Sequence, residues 1–314
     1  MGNCCSTNDG PAKPPQPLEP KLFVLSETLT GHSGKITCLL ELENTTIVTG
    51  SNNGEIKIWN LQFMFCDKTI KTDGQILCLL EIKSNILLTG GSTNDIKVWD
   101  LTDSTNESIY TFKGHNYWVT SLVKCDENTF ASSSNDGDIR IWDYPNKKCV
   151  NILSNNEISI LCLIKLKNGK ICSGDIANTI KIWDYKNNIC EATYEGHSGF
   201  IKCLCQLNNG DIVSGSDDNT IRIWKHDKEF YELIGHKKSV RYLYQIDEQF
   251  LASASFDKTI KIWDLSKNIC YQTLESRSDF VTCVILHCIG DLISCSNDKT
   301  IKVWRRLSNP LVNL

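Results

Sequence analysis

The stretch Ile260-Lys261-Ile262-Trp263 is one of seven copies of the same pattern, in which an apolar, a basic and an apolar residue precede a tryptophan. Successive tryptophans of this pattern are separated by 40, 43, 41, 41, 39 and 41 residues. A fixed period of this length is typical of repeats that cannot close a core alone and must stack their sheets on neighbouring repeats. The seven are Trp59, Trp99, Trp142, Trp183, Trp224, Trp263 and Trp304, and Trp118 falls outside the register.

Each repeat contains four short β-patterned runs. In the repeat that contains Trp224, Ile201 to Leu207 predicts a first strand, Asn209-Gly210 a hairpin turn, and Ile212 to Ser216 a second strand. A third strand is expected over Thr220 to Trp224, and a fourth around Tyr231 to Leu233. The sequence therefore predicts an all-β protein, a seven-bladed β-propeller of four-stranded antiparallel blades.

The residues Gly235-His236, Ser253, Asp257 and Trp263-Asp264 resemble the WD40 repeat, and the resemblance extends over roughly residues 22 to 306. In that family a His, a Ser or Thr, an Asp and the Trp form a buried hydrogen-bonded set that braces each blade. The resemblance implies three complete sets: His115, Ser132, Asp136, Trp142; His197, Ser214, Asp218, Trp224; and His236, Ser253, Asp257, Trp263.

The other four blades depart from this set. The first has Asn53 in place of the acid, and the last has Arg277 in place of the histidine. In the blade that contains Trp99, Thr72 holds the histidine position and Thr93 the acid position. In the blade that contains Trp183, these positions are held by Asn156 and Ala177. We expect partial networks in the first two cases and no network in the last two.

Sixteen cysteines raise the question of disulfides or a metal site. Nine recur at one of two fixed distances from the repeat tryptophan. This recurrence favours a role as small packing residues over a role as ligands that converge on one metal ion. No pair of Cys or His residues has the spacing of a zinc site, and we expect a reducing cytosolic environment. The recurrent residues are Cys38, Cys78, Cys162, Cys203 and Cys283 before the tryptophan, and Cys66, Cys149, Cys190 and Cys270 after it.

Charge and motifs argue against several function classes. The net charge of −4 and the pI near 5.9 provide no broad basic field for nucleic acid. Four of the six histidines belong to the bracing positions, and the sequence has neither a nucleophile motif nor a P-loop. We therefore expect no enzyme, no cofactor, no metal and no small-molecule substrate.

The first residues, Met1 to Ser6, fit the N-myristoylation pattern, with Gly2 as acceptor and Cys4 and Cys5 as candidates for palmitoylation. One myristoyl chain gives only marginal membrane binding, about 10⁴ M⁻¹, so a second signal is needed. Residues 1 to 30 have two lysines against three acidic residues, so a palmitate is the expected second signal. The alternative is a start whose cysteines are incidental.

After Trp304 the last blade lacks an obvious fourth strand. Residues 22 to 30 precede Gly31-His32 as other fourth strands precede their Gly-His pair, so the N-terminal segment is expected to close the ring. The predicted organisation is a lipidated, proline-rich disordered tail over 1–21, the propeller over 22–306 and a C-terminal tail over 307–314. The tail would leave from the bottom face, opposite the top-face loops.

The resemblance also implies contact positions on the top face, beside the first strand or just before the bracing acid. Aromatic residues and arginine, which are typical interface anchors, are frequent there. The alternative is that these aromatics pack under neighbouring loops. The positions are Trp118, Phe200, Phe256, Phe280, Lys35, Lys202, Arg241 and Asp217.

We interpret the chain as a non-enzymatic scaffold or adaptor that binds protein partners through the propeller's top face. Acylation would hold it at the cytoplasmic face of a membrane. One alternative is a substrate receptor of a ubiquitin ligase, but the chain has neither room for an F-box nor a Trp-Asp-x-Arg ending. A G-protein β-like subunit would need a helical N-terminal coiled coil, which the proline-rich start disfavours.

Overall fold

The structure is a computed structural model that describes residues 22–43, 45–276 and 279–307. These residues form 28 strands in seven four-stranded antiparallel sheets, the blades of a ring, which confirms the seven-bladed propeller. Within these ranges no helix has the length and hydropathy of a membrane span. Positions 1–21, with Gly2, Cys4 and Cys5, lie outside the described residues, as do Asn44, Arg277, Ser278 and 308–314.

The strands follow the repeat in chain order. Strand β1 is Phe23–Leu29. Blade 1 contains β2 (Ile36–Glu41), β3 (Thr46–Ser51), β4 (Glu55–Asn60) and β5 (Phe65–Lys71); blade 2 contains β6 (Ile76–Lys83), β7 (Ile86–Gly91), β8 (Ile96–Asp100) and β9 (Ser108–Phe112). Blade 3 contains β10 (Val119–Lys124), β11 (Thr129–Ser134), β12 (Asp138–Asp143) and β13 (Lys148–Ser154); blade 4 contains β14 (Ile160–Lys165), β15 (Ile171–Asp175), β16 (Ile180–Asp184) and β17 (Ile189–Tyr194). Blade 5 contains β18 (Ile201–Gln206), β19 (Ile212–Ser216), β20 (Ile221–Trp224) and β21 (Phe230–Leu233); blade 6 contains β22 (Val240–Gln245), β23 (Phe250–Ser255), β24 (Thr259–Asp264) and β25 (Ile269–Glu275); blade 7 contains β26 (Val281–Leu286), β27 (Leu292–Ser296) and β28 (Ile301–Arg306), with β1 as its fourth strand.

Strand β1 closes the ring, as the sequence predicts. It pairs antiparallel with β28, from Phe23 opposite Arg306 to Leu29 opposite Ile301. Gln272 of blade 6 fastens its start, because Gln272 Oε1 accepts the Phe23 N–H at 3.0 Å and Gln272 Nε2 donates to the Phe23 carbonyl at 2.6 Å. The edge of β28 is thereby paired, and β1 becomes the outermost strand of blade 7.

The two faces of the ring follow from strand direction. The first and innermost strand of each blade begins at the face that we call the top and ends at the bottom. The fourth strand runs from bottom to top, so Phe23, at the start of β1, lies at the bottom face. The chain therefore enters the propeller from the bottom.

The core lies between blades rather than within them. One cluster packs Val213, Ile221 and Leu233 of blade 5 against Val240 and Trp263 of blade 6. Equivalent buried clusters recur around the ring. Because each sheet buries its face against the next sheet, no blade has a core of its own.

Hydrogen bonds near the bottom also join neighbouring blades. Gln206, at the end of β18, accepts the Lys167 N–H of blade 4 through Oε1 at 2.8 Å. Gln245, at the end of β22, accepts the Asn208 N–H of blade 5 in the same way at 2.8 Å. The last residue of an innermost strand thus supplies an acceptor to the preceding blade.

Candidate protein-interaction surface

The bracing set of blade 6 is a continuous chain of hydrogen bonds. Trp263 Nε1 donates to Ser253 Oγ at 2.8 Å, and Ser253 Oγ lies 2.7 Å from His236 Nε2. His236 Nδ1 lies 2.7 Å from Asp257 Oδ2, which also accepts the Lys237 N–H at 3.0 Å. The same chain links His115, Ser132, Asp136 and Trp142 in blade 3, and His197, Ser214, Asp218 and Trp224 in blade 5.

The network of blade 6 favours a neutral imidazole beside an ionised carboxylate. Burial lowers the pKa of His236, although the adjacent Asp257 opposes the shift. Burial by itself would raise the pKa of Asp257, but hydrogen bonds from His236, Thr259 and the Lys237 N–H hold it below its usual range. A neutral imidazole that donates through Nδ1 and accepts through Nε2 completes the order of donors from tryptophan to aspartate.

Blade 1 has a complete set, which the sequence interpretation missed. The acid is Glu55 rather than a residue at position 53, and Glu55 Oε2 lies 3.3 Å from His32 Nδ1. His32 Nε2 lies 2.6 Å from Thr49 Oγ1, which accepts the Trp59 N–H at 2.8 Å. The longer glutamate side chain reaches the histidine from two residues further along the chain, so a search at a fixed spacing overlooks it.

Blades 4 and 7 use the lysine of the repeat triplet instead of histidine. In blade 7, Lys302 Nζ lies 2.6 Å from the Ser276 carbonyl and 3.4 Å from Asp298 Oδ2, and its side chain is buried. In blade 4, Lys181 Nζ donates to Asn155 Oδ1, and Asn155 Nδ2 donates to the buried Asp175 at 3.1 Å. The family's histidine and acid are absent from blade 4, and these residues, which lie outside the family's positions, form a different buried polar network there.

Blade 2 keeps the least of the set. Trp99 Nε1 still donates to Thr89 Oγ1 at 2.9 Å. At the histidine position, the hydroxyl of Thr72 is buried and has no hydrogen-bond partner within the described ranges. The tryptophan contact to the second strand thus persists even where histidine and acid are absent.

The predicted contact positions lie on the top face. One backbone hydrogen bond recurs there in every blade and joins the two loops that carry most of these positions. The residue before each innermost strand accepts, through its carbonyl, the N–H of the residue 17 positions later. This bond pairs Trp118 with Asn135, Phe200 with Asp217, Ser239 with Phe256, Phe280 with Asn297, and Lys35 with Asn52. The bond holds both members of each pair at the top rim.

A channel of about 510 Å³ runs along the ring axis and is lined by the innermost strands of all seven blades. The second residue of each of these strands faces it: Thr37, Leu77, Thr120, Leu161, Lys202, Arg241 and Thr282. All three threonines bridge blades. Thr37 Oγ1 donates to the Ile76 carbonyl, Thr120 Oγ1 to the Ile160 carbonyl at 2.6 Å and Thr282 Oγ1 to the Ile36 carbonyl at 2.9 Å. Lys202 and Arg241 are the charged members of this ring, and they lie in adjacent blades.

Arg241 is surrounded by aromatic rings rather than by acids. Its guanidinium carbon lies 4.7 Å from the centroid of the Phe256 ring. Phe256 stacks on Phe280 of the next blade, with centroids 4.5 Å apart and planes at 19°. Within the described part of the chain, the guanidinium has no hydrogen-bond or ion-pair partner. Its N–H donors therefore remain available at the channel mouth.

Lys202 is the second cation of this mouth. Its ammonium lies 3.2 Å from Asp217 Oδ2 and 5.1 Å from the centroid of Phe200. Burial lowers the pKa of Lys202, and the charge of Arg241 lowers it further, while Asp217 opposes both. The mouth thus holds two cations that destabilise each other and one carboxylate that neutralises only part of their charge.

Trp118 completes the group, because it lines the same channel as Lys202, Arg241 and Phe256. Trp118 and Phe200 are 42% and 43% exposed, whereas Phe256 and Phe280 are half-buried against each other. The alternative, in which these aromatic residues pack against neighbouring parts of the protein, therefore applies only to Phe256 and Phe280. Lys35 is exposed on blade 1 but does not line the channel. We call Trp118, Lys202, Arg241, Phe256 and Phe280 the mouth cluster.

Comparison with known families agrees with this architecture. The model of the WD domain, G-beta repeat, matches residues 23–60, 106–143, 188–225, 227–264 and 268–305, more than half of the chain. The protein therefore belongs to the WD40-repeat family, and its fold is that of a protein-interaction scaffold. The unmatched stretches between the first three segments include most of blades 2 and 4, which lack the family's histidine and acid.

Among curated proteins, the chain is similar to parts of larger WD-repeat proteins. It is 30% identical over 136 residues to the nuclear distribution protein nudF of Emericella nidulans, covering 41% of this chain and 31% of that protein. It is 28% identical over 129 residues to mitochondrial division protein 1 of Eremothecium gossypii, covering 41% and 13%. It is 24% identical over 130 residues to the DENN domain and WD repeat-containing protein SCD1 of Arabidopsis thaliana, covering 41% and 11%. The chain thus spans about a tenth to a third of the length of these relatives.

Proposed function

We propose that this protein is a non-enzymatic adaptor that binds an acidic segment of a partner protein across the mouth cluster. We propose further that myristate on Gly2 and palmitate on Cys4 or Cys5 hold it at the cytoplasmic face of a membrane. The binding proposal rests on the fold, the family and the chemistry of the channel mouth. The membrane proposal rests on the sequence motif.

The observation that supports binding most directly is Arg241. A guanidinium provides five N–H donors in a planar fork that matches a carboxylate or a phosphate. At this position other blades have threonines that bond to the next blade, so a charge is not required by the fold. An arginine beside two stacked phenylalanines and without an acidic partner is suited to an external anion.

The surrounding groups add area and specificity. Aromatic and arginine side chains dominate the energetics of protein interfaces, because aromatic rings bury large, rigid surfaces and the guanidinium makes several directed hydrogen bonds. Trp118 and Phe200 present exposed rings at the same rim, and the Phe200 ring lies 5.1 Å from the Lys202 ammonium. A segment with one or two acidic side chains flanked by apolar residues would match this pattern of charge and apolar surface.

The test compares partners that co-purify with full-length variants. Arg241→Glu, and Trp118→Ala combined with Phe256→Ala, should each reduce partner recovery by about thirtyfold or more, as expected for loss of an anchor worth about 2 kcal/mol. Matched controls at the bottom face are Arg305→Glu and Phe63→Ala, which change an exposed arginine and an exposed phenylalanine. Partner profiles that remain unchanged in the mouth variants would contradict this assignment.

A further inference from the structure

A second group of side chains with binding chemistry lies at the bottom face, where blade 1 meets blade 7. Glu41 ends β2 of blade 1, and His287 and Cys288 follow β26 of blade 7. One potential ligand atom from each residue lies within 4.8 Å of the others. Carboxylate, imidazole and thiol thus converge from positions almost the whole chain apart.

His287 is unusual for its place in the repeat. It is the residue that directly follows the sixth residue of an innermost strand, and it is 1% exposed. The equivalent residues of the other blades are apolar: Leu42, Ile82, Cys125, Leu166, Leu207 and Ile246. The fold therefore accepts an apolar side chain here in every other blade, and a buried imidazole calls for a different explanation.

Glu41 already has one structural role. Its Oε1 accepts the Cys288 N–H at 2.9 Å, which is the same inter-blade bond that Gln206 and Gln245 make elsewhere. A glutamine would serve that purpose as well as a glutamate. The negative charge and the second oxygen of Glu41 are thus additional to what the bond requires.

The distances are close to those of a metal site. His287 Nε2 lies 3.8 Å from Glu41 Oε1, and Cys288 Sγ lies 3.9 Å from the same nitrogen. In a tetrahedral zinc site with bonds of about 2.0 Å to nitrogen and oxygen and about 2.3 Å to sulfur, these separations would be about 3.3 and 3.5 Å. Cys288 is exposed, so its side chain can turn to close the remaining few tenths of an ångström.

We infer that Glu41, His287 and Cys288 form a binding site for a divalent metal ion of the zinc class, which joins blades 1 and 7. Thiolate and imidazole ligands favour Zn²⁺ over Mg²⁺ or Ca²⁺. Three protein ligands leave a fourth position for water. On binding, Cys288 releases its thiol proton to solvent, and His287 binds through Nε2 with its proton on Nδ1.

The proton on Nδ1 has a local consequence. In the structure the Ile289 N–H points to His287 Nδ1 at 3.3 Å, a long contact. Two N–H groups cannot bond to each other, so the turn after His287 must shift slightly when metal binds. The ion would then link the first innermost strand, β2, to the last one, β26, which belongs to the blade that β1 completes.

The main test is titration of the full-length protein with Zn²⁺ and with Co²⁺ as a spectroscopic probe. We expect one site with visible thiolate-to-cobalt bands. Glu41→Gln, His287→Leu and Cys288→Ser should each weaken binding by about 100-fold or more, beyond the 10–100-fold effect of changing outer-shell partners. Glu41→Gln keeps the inter-blade bond, and His287→Leu introduces the residue of blades 1, 4 and 5, so both variants should fold. Cys270→Ser, at an exposed cysteine of β25, should bind like the wild type.

Alkylation with iodoacetamide provides an internal control. Cys190, Cys270 and Cys288 are all exposed, and micromolar Zn²⁺ should slow modification of Cys288 alone. Zn²⁺ should also raise the Tm of the wild type by a few degrees and leave that of His287→Leu unchanged. Three results would each overturn the assignment. They are no Zn²⁺ binding by the wild type, wild-type affinity for Zn²⁺ in the His287 and Cys288 variants, and no protection of Cys288 from alkylation by Zn²⁺.

Discussion

At the scale of single residues, the bracing networks show that a side chain long enough to reach the buried site can take part from more than one position in the repeat. Glu55 replaces the family's aspartate in blade 1, because an extra methylene compensates for a shift of two residues. Lys302 supplies a buried donor in blade 7 from the third strand. In each case a buried polar group finds a partner, as burial requires. The chemistry is preserved while the residue that provides it changes.

The buried histidines predict a specific dependence of stability on pH. Burial lowers the pKa of His32 from 6.5 to about 4, and it lowers the pKa of His236 as well. The unfolded chain takes up a proton at each site near pH 6.5, while the folded protein does not. For His32, stability is therefore full above pH 6.5 and is lost as the pH falls towards about 4, by up to about 1.4 kcal/mol per pH unit, and His236 contributes in the same direction.

Urea unfolding of the full-length protein at a series of pH values measures this slope. His32→Gln should reduce the slope, whereas His226→Gln, at an exposed histidine, should leave it unchanged. Stability that stays constant between pH 7 and pH 5 would show that these imidazoles can be protonated in the folded state.

At the scale of elements, β1 is the strand on which the ring depends. It is first in sequence but pairs with the last strand, and it buries Phe23 and Leu29 completely or nearly so. The stabilisation comes from burial and from an antiparallel ladder with β28 that is interrupted by a register shift between Leu25 and Glu27. A propeller without it would leave the long edge of β28 open to other chains.

Two truncations separate the strand from the tail before it. Deletion of residues 1–21 should leave the Tm nearly unchanged, because β1 remains. Deletion of 1–30 should lower the Tm by about 10 °C or more, since loss of a buried phenylalanine alone typically costs about 3–5 kcal/mol. Calorimetry decides the question, and equal melting temperatures would mean that closure does not rely on β1.

At the scale of the whole molecule, the two faces have different roles in our proposal. The chain enters at the bottom, at the start of β1, and the mouth cluster lies at the top. A tail that is fixed in a membrane would therefore leave the mouth cluster facing the cytosol. Partner binding and membrane attachment become separable properties.

The membrane proposal predicts that Gly2→Ala moves the protein from the membrane fraction to the soluble fraction. Loss of the acceptor glycine prevents myristoylation, and no polybasic segment follows to replace it. Cys4→Ala with Cys5→Ala should leave a weakly and reversibly bound protein, because one acyl chain gives marginal affinity. Wild-type amounts of Gly2→Ala in the membrane pellet would exclude the acyl anchor.

The sequence by itself determined the number of blades and their four-stranded pattern, because these depend on a period of hydrophobic and turn residues that is local to each repeat. It also predicted closure by β1, because the last repeat lacks a fourth strand and residues 22 to 30 precede Gly31-His32 as other fourth strands do. It also indicated which positions would lie on the top rim. Only the tertiary structure decided that Glu55 and Lys181 take part in buried networks, that Arg241 stacks on Phe256, and that Glu41 meets His287. Those contacts join residues of different repeats or depend on side-chain reach. They arise from the angle between neighbouring sheets and from ring closure, which no single repeat encodes.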